Sequence, residues 1–235
     1  MELFKFRHGN AKLPDSIMHF SLPAGHTCPG AKDCLSKFSR KTRKIEDGPH
    51  CIFRCSAVTE EMRPNVSNAR DHNYKLVEKL KSDPIRLGEH LLLSVKAKRE
   101  RKTRFVRWFP SGDCYTPALR EAIIYCADMT NLVHYLYTKN LPIWLGVRLP
   151  ENLRVTASWG GKWDSLIEEG HFPRNAKVFN YYEDAEACGR SIDTDDSLAY
   201  SAQATAFGLL VHGTQPSGSD AGIAARHNRK LAHVQ

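Results

Sequence analysis

Nowhere in this chain do apolar residues run far enough to cross a bilayer. The longest stretches, LLLSVKA at Leu91–Ala97 and AFGLLV at Ala206–Val211, fall well short of the about 20 residues that a spanning helix needs. The start, MELFKFRHGN, has neither the basic opening nor the apolar stretch of a secretory signal. These absences argue against a membrane partner and lead us to expect a cytoplasmic protein, in a compartment that keeps thiols reduced. There is no internal repeat and no low-complexity tail. The Cys-x2-Cys pair of zinc knuckles is missing. No Gly-Lys-[Ser/Thr] follows the glycine turn at Gly213–Ala221, which excludes a phosphate loop there. Seven cysteines, an odd number, fit reduced thiols better than a disulfide framework.

What is present is a concentration of thiols. Cys28, Cys34, Cys51 and Cys55 lie within Gly25–Ala57, with gaps of five, sixteen and three residues. Two close pairs around a basic loop suit a metal ion or an iron–sulfur cluster, because thiolates are soft, charged ligands that a metal draws together. Pro29, Gly30, Gly48 and Pro49 bend the chain beside them. Four buried free thiols are the plainer reading, but the polar, turn-rich surroundings offer them little apolar core. His26 and His50 stand next to the cysteines as substitute ligands. The expected group is an iron–sulfur cluster or zinc.

The formal net charge is +8. Two basic runs carry much of it: KFSRKTRK at Lys37–Lys44 and KAKRERKTR at Lys96–Arg104. Such runs attract phosphates and make nucleic acid a candidate partner, although solvated loops look the same. Glu183, Asp184, Glu186, Asp193, Asp195 and Asp196 form the opposite balance. The last three suit a divalent cation in a nuclease, or more simply a solvated acidic loop.

The length suits one domain over 1–235. Within it, 15–58 reads as a first strand (Ser16–Leu22) and the cysteine-rich loop, after a polar lead-in. Residues 59–102 read as two helices, the first with Val66, Ala69, Asn73, Leu76, Val77 and Leu80 at helical spacing. Over 103–232, strands at Phe105–Phe109, Leu132–Tyr137, Leu153–Ser158, Val178–Tyr182 and Phe207–His212 alternate with helices, of which Pro117–Met129 and Gly218–Leu231 are the longest. Alternation of this kind predicts an α/β fold of about six parallel strands with helical crossovers, either an open sheet or a partial (β/α)6 barrel.

In such a sheet the loops after the strands share one face, and that face builds sites. Asp113, Lys139 and His212 are therefore candidate catalytic groups, each with a plainer reading as a cap, a solvated lysine or a core histidine. Ser111, Gly112, Ser158, Gly160, Gly161, Gly213 and Thr214 are candidates to hold a cofactor or substrate. The cysteine loop belongs to the same mouth. Cys126 reads as core, and Cys114 as a possible extra ligand.

LPAGHTCPGAKDC, RCSA, PNVSNARDHN, VRWFPSGD, YLYTK, LRVTASWGG and LLVHGTQPSGS occur in that order. Together they resemble a phage family known as gene product eighty-eight, from about Ser21 to His227. The layout is similar to the partial six-stranded barrel of radical S-adenosylmethionine enzymes, where a cluster-binding loop follows the first strand. That resemblance implies a four-iron cluster, S-adenosylmethionine as cofactor and a small or nucleotide-like substrate. The radical motif Cys-x3-Cys-x2-Cys is broken here, since Val58 stands where the third cysteine would be. A cluster held by all four of Cys28, Cys34, Cys51 and Cys55 would have no open iron and would transfer electrons or serve structure; one held by Cys28, Cys34 and Cys55 would keep an iron open. The alternative is a zinc-stapled basic nucleic-acid-binding protein, or a metal-dependent nuclease, of a phage.

Overall fold

The computed structural model describes residues 2–10 and 13–232, with side chains described to Lys230. It is a mixed α/β structure on a seven-stranded sheet. Six strands are parallel and lie side by side in sequence order: β2 (Ile17–Phe20), β5 (Phe105–Trp108), β6 (Val133–Thr138), β7 (Leu153–Ser158), β8 (Asn175–Phe179) and β9 (Ala206–Leu210). The order never reverses, so there is no switch point of the doubly wound kind. The sheet is open. One edge is β9, and the other is β1 (Phe6–His8), which runs antiparallel to β2.

The stretch read as a polar lead-in is thus an edge strand, a correction with a physical cause. β1 is anchored by side chains far along the chain. Asn73 grips both the N–H and the carbonyl of Lys5, at 2.8 and 3.0 Å, and Ser94 accepts from the Phe4 N–H. Its aromatic residues complete a cluster in which the rings of Phe4, Phe6 and Trp108 lie 5.4–5.7 Å from a neighbouring ring.

Three helices cover one face of the sheet: α1 (Pro64–Leu80), α2 (Pro84–Lys98) and α3 (Pro117–Asp128). All three begin with proline at the first turn, where its missing N–H costs nothing. Asp83 and Thr116 cap the second and third by accepting from Arg86 N and Leu119 N. Gly88 lets α2 approach α3, for a Cβ there would sit 2.7 Å from the Tyr125 ring. Met18, Phe20, Val106, Trp108, Leu136 and Val155 point from the sheet into this core. His134 lies among them, neutral. It accepts from Trp108 Nε1 through Nδ1 at 3.1 Å, which leaves Nε2 to meet the Thr130 hydroxyl at 2.7 Å. Burial pushes its pKa down to about 3.

The inward face of α1 departs from expectation. Its first half buries Ser67 and Arg70 in place of Val66 and Ala69, which are half-buried, while Asn73 is buried as the spacing predicts. Those polar groups have backbone and carboxylate partners to meet, and these outweigh the apolar pattern.

Two further corrections concern strands. β8 is Asn175–Phe179, and the chain turns helical at α5 (Tyr182–Ala187), where a strand was expected to continue. The cysteine-rich loop is not plain loop either. Between its cysteine pairs it folds a hairpin, β3 (Ser36–Ser39) against β4 (Lys44–Asp47). Arg43, with φ of 59°, makes the turn, and Phe38 lies opposite Ile45. The opposite face of the sheet is covered in part by α6 (Ser197–Tyr200), whose Tyr200 stacks on Phe105 at 4.1 Å. The last helix, α7 (Asp220–Ala232), packs Ala221, Ala224 and Ala225 around Val211. Among the described residues, no helix is long and apolar enough to cross a membrane.

Candidate functional site

The loop after β2 folds back over the carboxyl ends of the parallel strands. Its seat is built from the residues that follow β6 and β7. Lys32 N and Asp33 N both donate to the Gly160 carbonyl, Lys162 N donates to the Gly30 carbonyl at 2.9 Å, and Ala31 bridges Gly161. Gly30 rests directly on the backbone of Lys139. Gly160 and Gly161 thus receive the cysteine loop, and their N–H groups are held by Asp164 at 2.9 Å.

After the hairpin the chain returns beside Cys34, because Ile52 N and Phe53 N both donate to the Asp33 carbonyl. Ser36, fully buried, ties three cysteines together. Its hydroxyl meets the Cys34 carbonyl at 3.4 Å and the Cys51 Sγ at 3.6 Å, and it accepts from Cys55 N at 3.4 Å.

All seven cysteines are free thiols, and the four of the loop are half-buried. Burial pushes the Cys28 thiol well up, and Asp113, Cys55 and Cys34 push it further. Burial also takes Cys34 up to about 11, with Cys55 adding to it and Lys139 opposing it. Burial raises Cys55 too, against the nearby Arg70. Cys51 is raised by burial while its hydrogen bond with Ser36 holds it back; its Sγ also donates to the Phe53 carbonyl at 3.2 Å. At neutral pH these thiols are protonated, and protonated thiols are poor nucleophiles. A thiol that binds a metal loses its proton on doing so. Among the described residues, no three His, Cys, Asp or Glu side chains are gathered so as to hold a metal ion. His26 and His50 are exposed.

Asp113 and Lys139 stand beside these thiols. The Asp113 carboxylate is a strut between two strand ends, accepting from Cys114 N at 2.7 Å and Lys139 N at 2.8 Å. Burial pushes its pKa up to about 6, against those bonds and one from the Thr138 hydroxyl. The Lys139 ammonium donates to Ser158 Oγ at 2.9 Å and to the Trp159 carbonyl. Ser111 is buried and donates to the Leu22 carbonyl at 2.8 Å, and Gly112, with φ of 81°, lies against Thr27 and Leu22. Both lock the strand that leads into the loop. Gly213 abuts Ser56, and the nearby Gln215 bonds the backbone of Arg54 in both directions. The loop after β9 therefore joins the cysteine segment, with His212 and Thr214 exposed on it.

The acidic run is only partly a solvated loop. Asp193 and Asp196 are buried. Asp196 accepts from Arg107 and from the Tyr135 hydroxyl, Asp193 accepts from Ala199 N, and Asp195 accepts from Ser197 N. All three hold the segment around α6. Cys114 and Cys126 are buried, and Cys188 is exposed.

Sequence reasoning passed over Glu61 and Arg70. Arg70, on the buried face of α1, donates to the Ala57 carbonyl at 2.8 Å and to Glu61 at 3.0 Å. Glu61 also accepts from Ala24 N at 2.6 Å, so the pair braces both ends of the cysteine segment. The available signal was an arginine at the inward helical spacing of Asn73 and Leu76 or Val77.

No curated protein and no solved structure matches the chain. A family model described as Gene product 88 matches residues 3–233. The quoted motifs, the fold they span and that match over nearly the whole length lead to one assignment: the chain belongs to the Gene product 88 family.

Proposed function

We propose that this is an iron–sulfur protein in which Cys28, Cys34 and Cys55 hold a four-iron cluster at the carboxyl mouth of the sheet, in the manner of radical S-adenosylmethionine enzymes. One observation carries the reading. Cys28 feels both Cys34 and Cys55, and Cys34 feels Cys55; Cys51 also lies near Cys34, but its Sγ is engaged with Ser36 and the Phe53 carbonyl. A single zinc ion needs its thiolates about 2.3 Å away, around one point, and the thiols are not gathered that closely. A cluster spreads its thiolates over a larger body, which favours it over zinc. Three cysteine ligands leave one iron open to a cofactor such as S-adenosylmethionine, and a cluster of this kind supplies single electrons.

The chain's own residues do the rest. Lys139 lies beside Cys34 and Arg70 beside Cys55, so two cations offset the charge of the bound thiolates. Asp113 positions the Lys139 backbone, and burial, with the Asp113 charge adding to it, keeps Cys28 protonated until the ligand binds. Six parallel strands in sequence order are compatible with a partial barrel about this mouth.

The test is anaerobic reconstitution with iron and sulfide. Wild type and Cys51→Ser should bind about four irons per chain and turn brown. Cys28→Ser, Cys34→Ser and Cys55→Ser should each lose most of that iron. A colourless, zinc-bearing wild type sinks the proposal, as does a Cys51→Ser protein as iron-poor as the others.

A second reading rests on the hairpin. Arg40, Lys41, Arg43 and Lys44 are exposed around its turn, between the two cysteine pairs. A zinc-stapled hairpin of this charge would bind nucleic acid. Such binding would weaken steeply with added salt, and a flat response removes it.

A further inference from the structure

The face of the sheet opposite α1–α3 carries polar groups that the thiol mouth does not use. Cross-strand register places His19, Arg107, Tyr135 and Arg154 in one row over β2, β5, β6 and β7. Tyr137 and Thr156 pair in the next row toward the carboxyl ends. Parallel strands covered on both faces normally read as apolar runs; here Tyr135 and Tyr137 pack against Tyr200 and Phe207, but His19, Arg107 and Thr156 bring polar atoms into the same layer. Several of its buried atoms have no partner: His19 Nδ1, Arg107 Nε, the Tyr137 hydroxyl and the Thr156 hydroxyl. Thr156 is fully buried, and the Arg107 guanidinium lies 5.5 Å from the centre of the Tyr137 ring.

The way Arg107 is held indicates the ligand. Asp196 takes its Nη1. The opposite edge, Nε with Nη2, is the side-on fork that accepts both oxygens of a carboxylate or phosphate. We infer that this row is a binding site for a small oxyanion-bearing molecule, a carboxylate or a phosphate ester, gripped by the Nε edge of Arg107 with the hydroxyls of Tyr137 and Thr156. Asp196 fixes the guanidinium from its far end and is fixed in turn by the Tyr135 hydroxyl at 3.1 Å. His19 Nε2 faces the Gly9 carbonyl at 3.2 Å, so in the neutral ring Nδ1 is an acceptor and takes a proton-bearing group of the ligand. One step beyond Tyr137 and Thr156, on the same face, Lys139 meets Ser158. The row therefore points toward the cysteine loop, but it does not depend on any metal there.

The test uses the full chain and two probes at millimolar concentration, inorganic phosphate and malonate, each against sodium chloride of equal ionic strength. At tenfold excess over its dissociation constant, a bound probe should raise the Tm by about 3–6 °C. Phosphate alone points to a phosphate ester, malonate alone to a carboxylate. Arg107→Lys keeps the charge but loses the fork, and should abolish the shift. Tyr137→Phe and Thr156→Val remove hydroxyls that no protein group uses. They should melt no lower than wild type without probe, and lose at least half of the probe's shift. If neither probe raises the Tm above chloride, or if the shift survives in Tyr137→Phe and Thr156→Val, the site is refuted. Iron content plays no part in this readout, so the outcome is separate from that of the cluster.

Discussion

Gly30→Ala tests whether the cysteine loop is seated on the sheet as described. A Cβ at Gly30 would lie 2.1 Å from the Lys139 carbonyl oxygen and 2.4 Å from its carbon, where ordinary contact begins at 3.4 Å. The obstacle is backbone at the end of β6, so no side chain can swing aside and something must move by more than 1 Å. Two routes are open. Forcing the methyl in is overpacking, which costs about 1–3 kcal/mol, here toward the upper end. Lifting the loop instead breaks the bonds from Lys32 N, Asp33 N and Lys162 N, each worth about 0.5–1.5 kcal/mol net. Both routes come to roughly 3 kcal/mol, or about 6–12 °C in Tm for a chain of this size. Thiol titration with an aromatic disulfide separates them. In wild type only the exposed Cys188 should react fast. Lifting the loop adds Cys28 and Cys34 to the fast phase; forcing does not. Gly170→Ala is the control, since that residue has φ of 81° but nothing within 4 Å. It should lose about 1–2 kcal/mol to backbone strain alone and leave the thiols as they were. A Gly30→Ala protein with the wild-type Tm and a single fast thiol would refute the seat.

Acid should destabilise the fold well before carboxylates titrate. Burial holds His134 at about 3 and His19 at about 4, below the about 6.5 of the unfolded chain. Their contribution is therefore complete above pH 6.5 and is lost as the pH falls toward 4 and 3, about 2 kcal/mol each by pH 5. Asp113 acts the other way: raised to about 6, it favours the fold at low pH and returns about 1 kcal/mol between pH 7 and 5. The net loss of roughly 2–3 kcal/mol would appear as a lower urea midpoint at pH 5 than at pH 7, and equal midpoints would contradict it. Arg70→Met leaves Glu61 buried without its cation and should cost about 3–5 kcal/mol; a loss under about 1 kcal/mol by chemical denaturation would show that Arg70 does not brace the loop.

Most of the parallel strands were legible because each is a short run rich in apolar, β-branched or aromatic residues closed by a turn. LRVTAS ends at Trp159-Gly160-Gly161, and β7 has the bounds that pattern predicts. The weaker strands were not. FRH is three residues long and two of them are polar, so β1 exists only through Asn73, Ser94 and its pairing with β2. In β8 the aromatic run drew attention to Tyr181 and Tyr182. The strand instead spends Lys177 on its surface, with the ammonium about 6 Å from the rings of Trp159 and Phe179. At the site, the meeting of the loops followed from strand direction alone. The roles did not, because they depend on close approach. Whether Gly161 cradles a ligand or receives Ala31 is decided by where a loop lands, and nothing in Trp-Gly-Gly records that.

The polar row also left a trace in sequence. LRVTAS alternates apolar with polar residues, and Arg107 of FVRW and Tyr135 and Tyr137 of VHYLYT fall on its polar face, although each strand has neighbours on both sides. Alternation is the mark of a sheet with one wet face, usually an antiparallel one. Found in parallel strands, it means that one face is not given over to apolar packing alone, although α6 covers part of it. In this chain the dry face takes α1–α3, and the polar face runs from Arg107 through Tyr137 to Lys139 and so to Cys34. A buried hydroxyl without a partner costs about 1–3 kcal/mol. Two of them beside an open guanidinium edge are a standing expense that folding alone does not repay. A ligand that satisfies all three recovers it, and by the direction of the strands that ligand would be presented to the thiols.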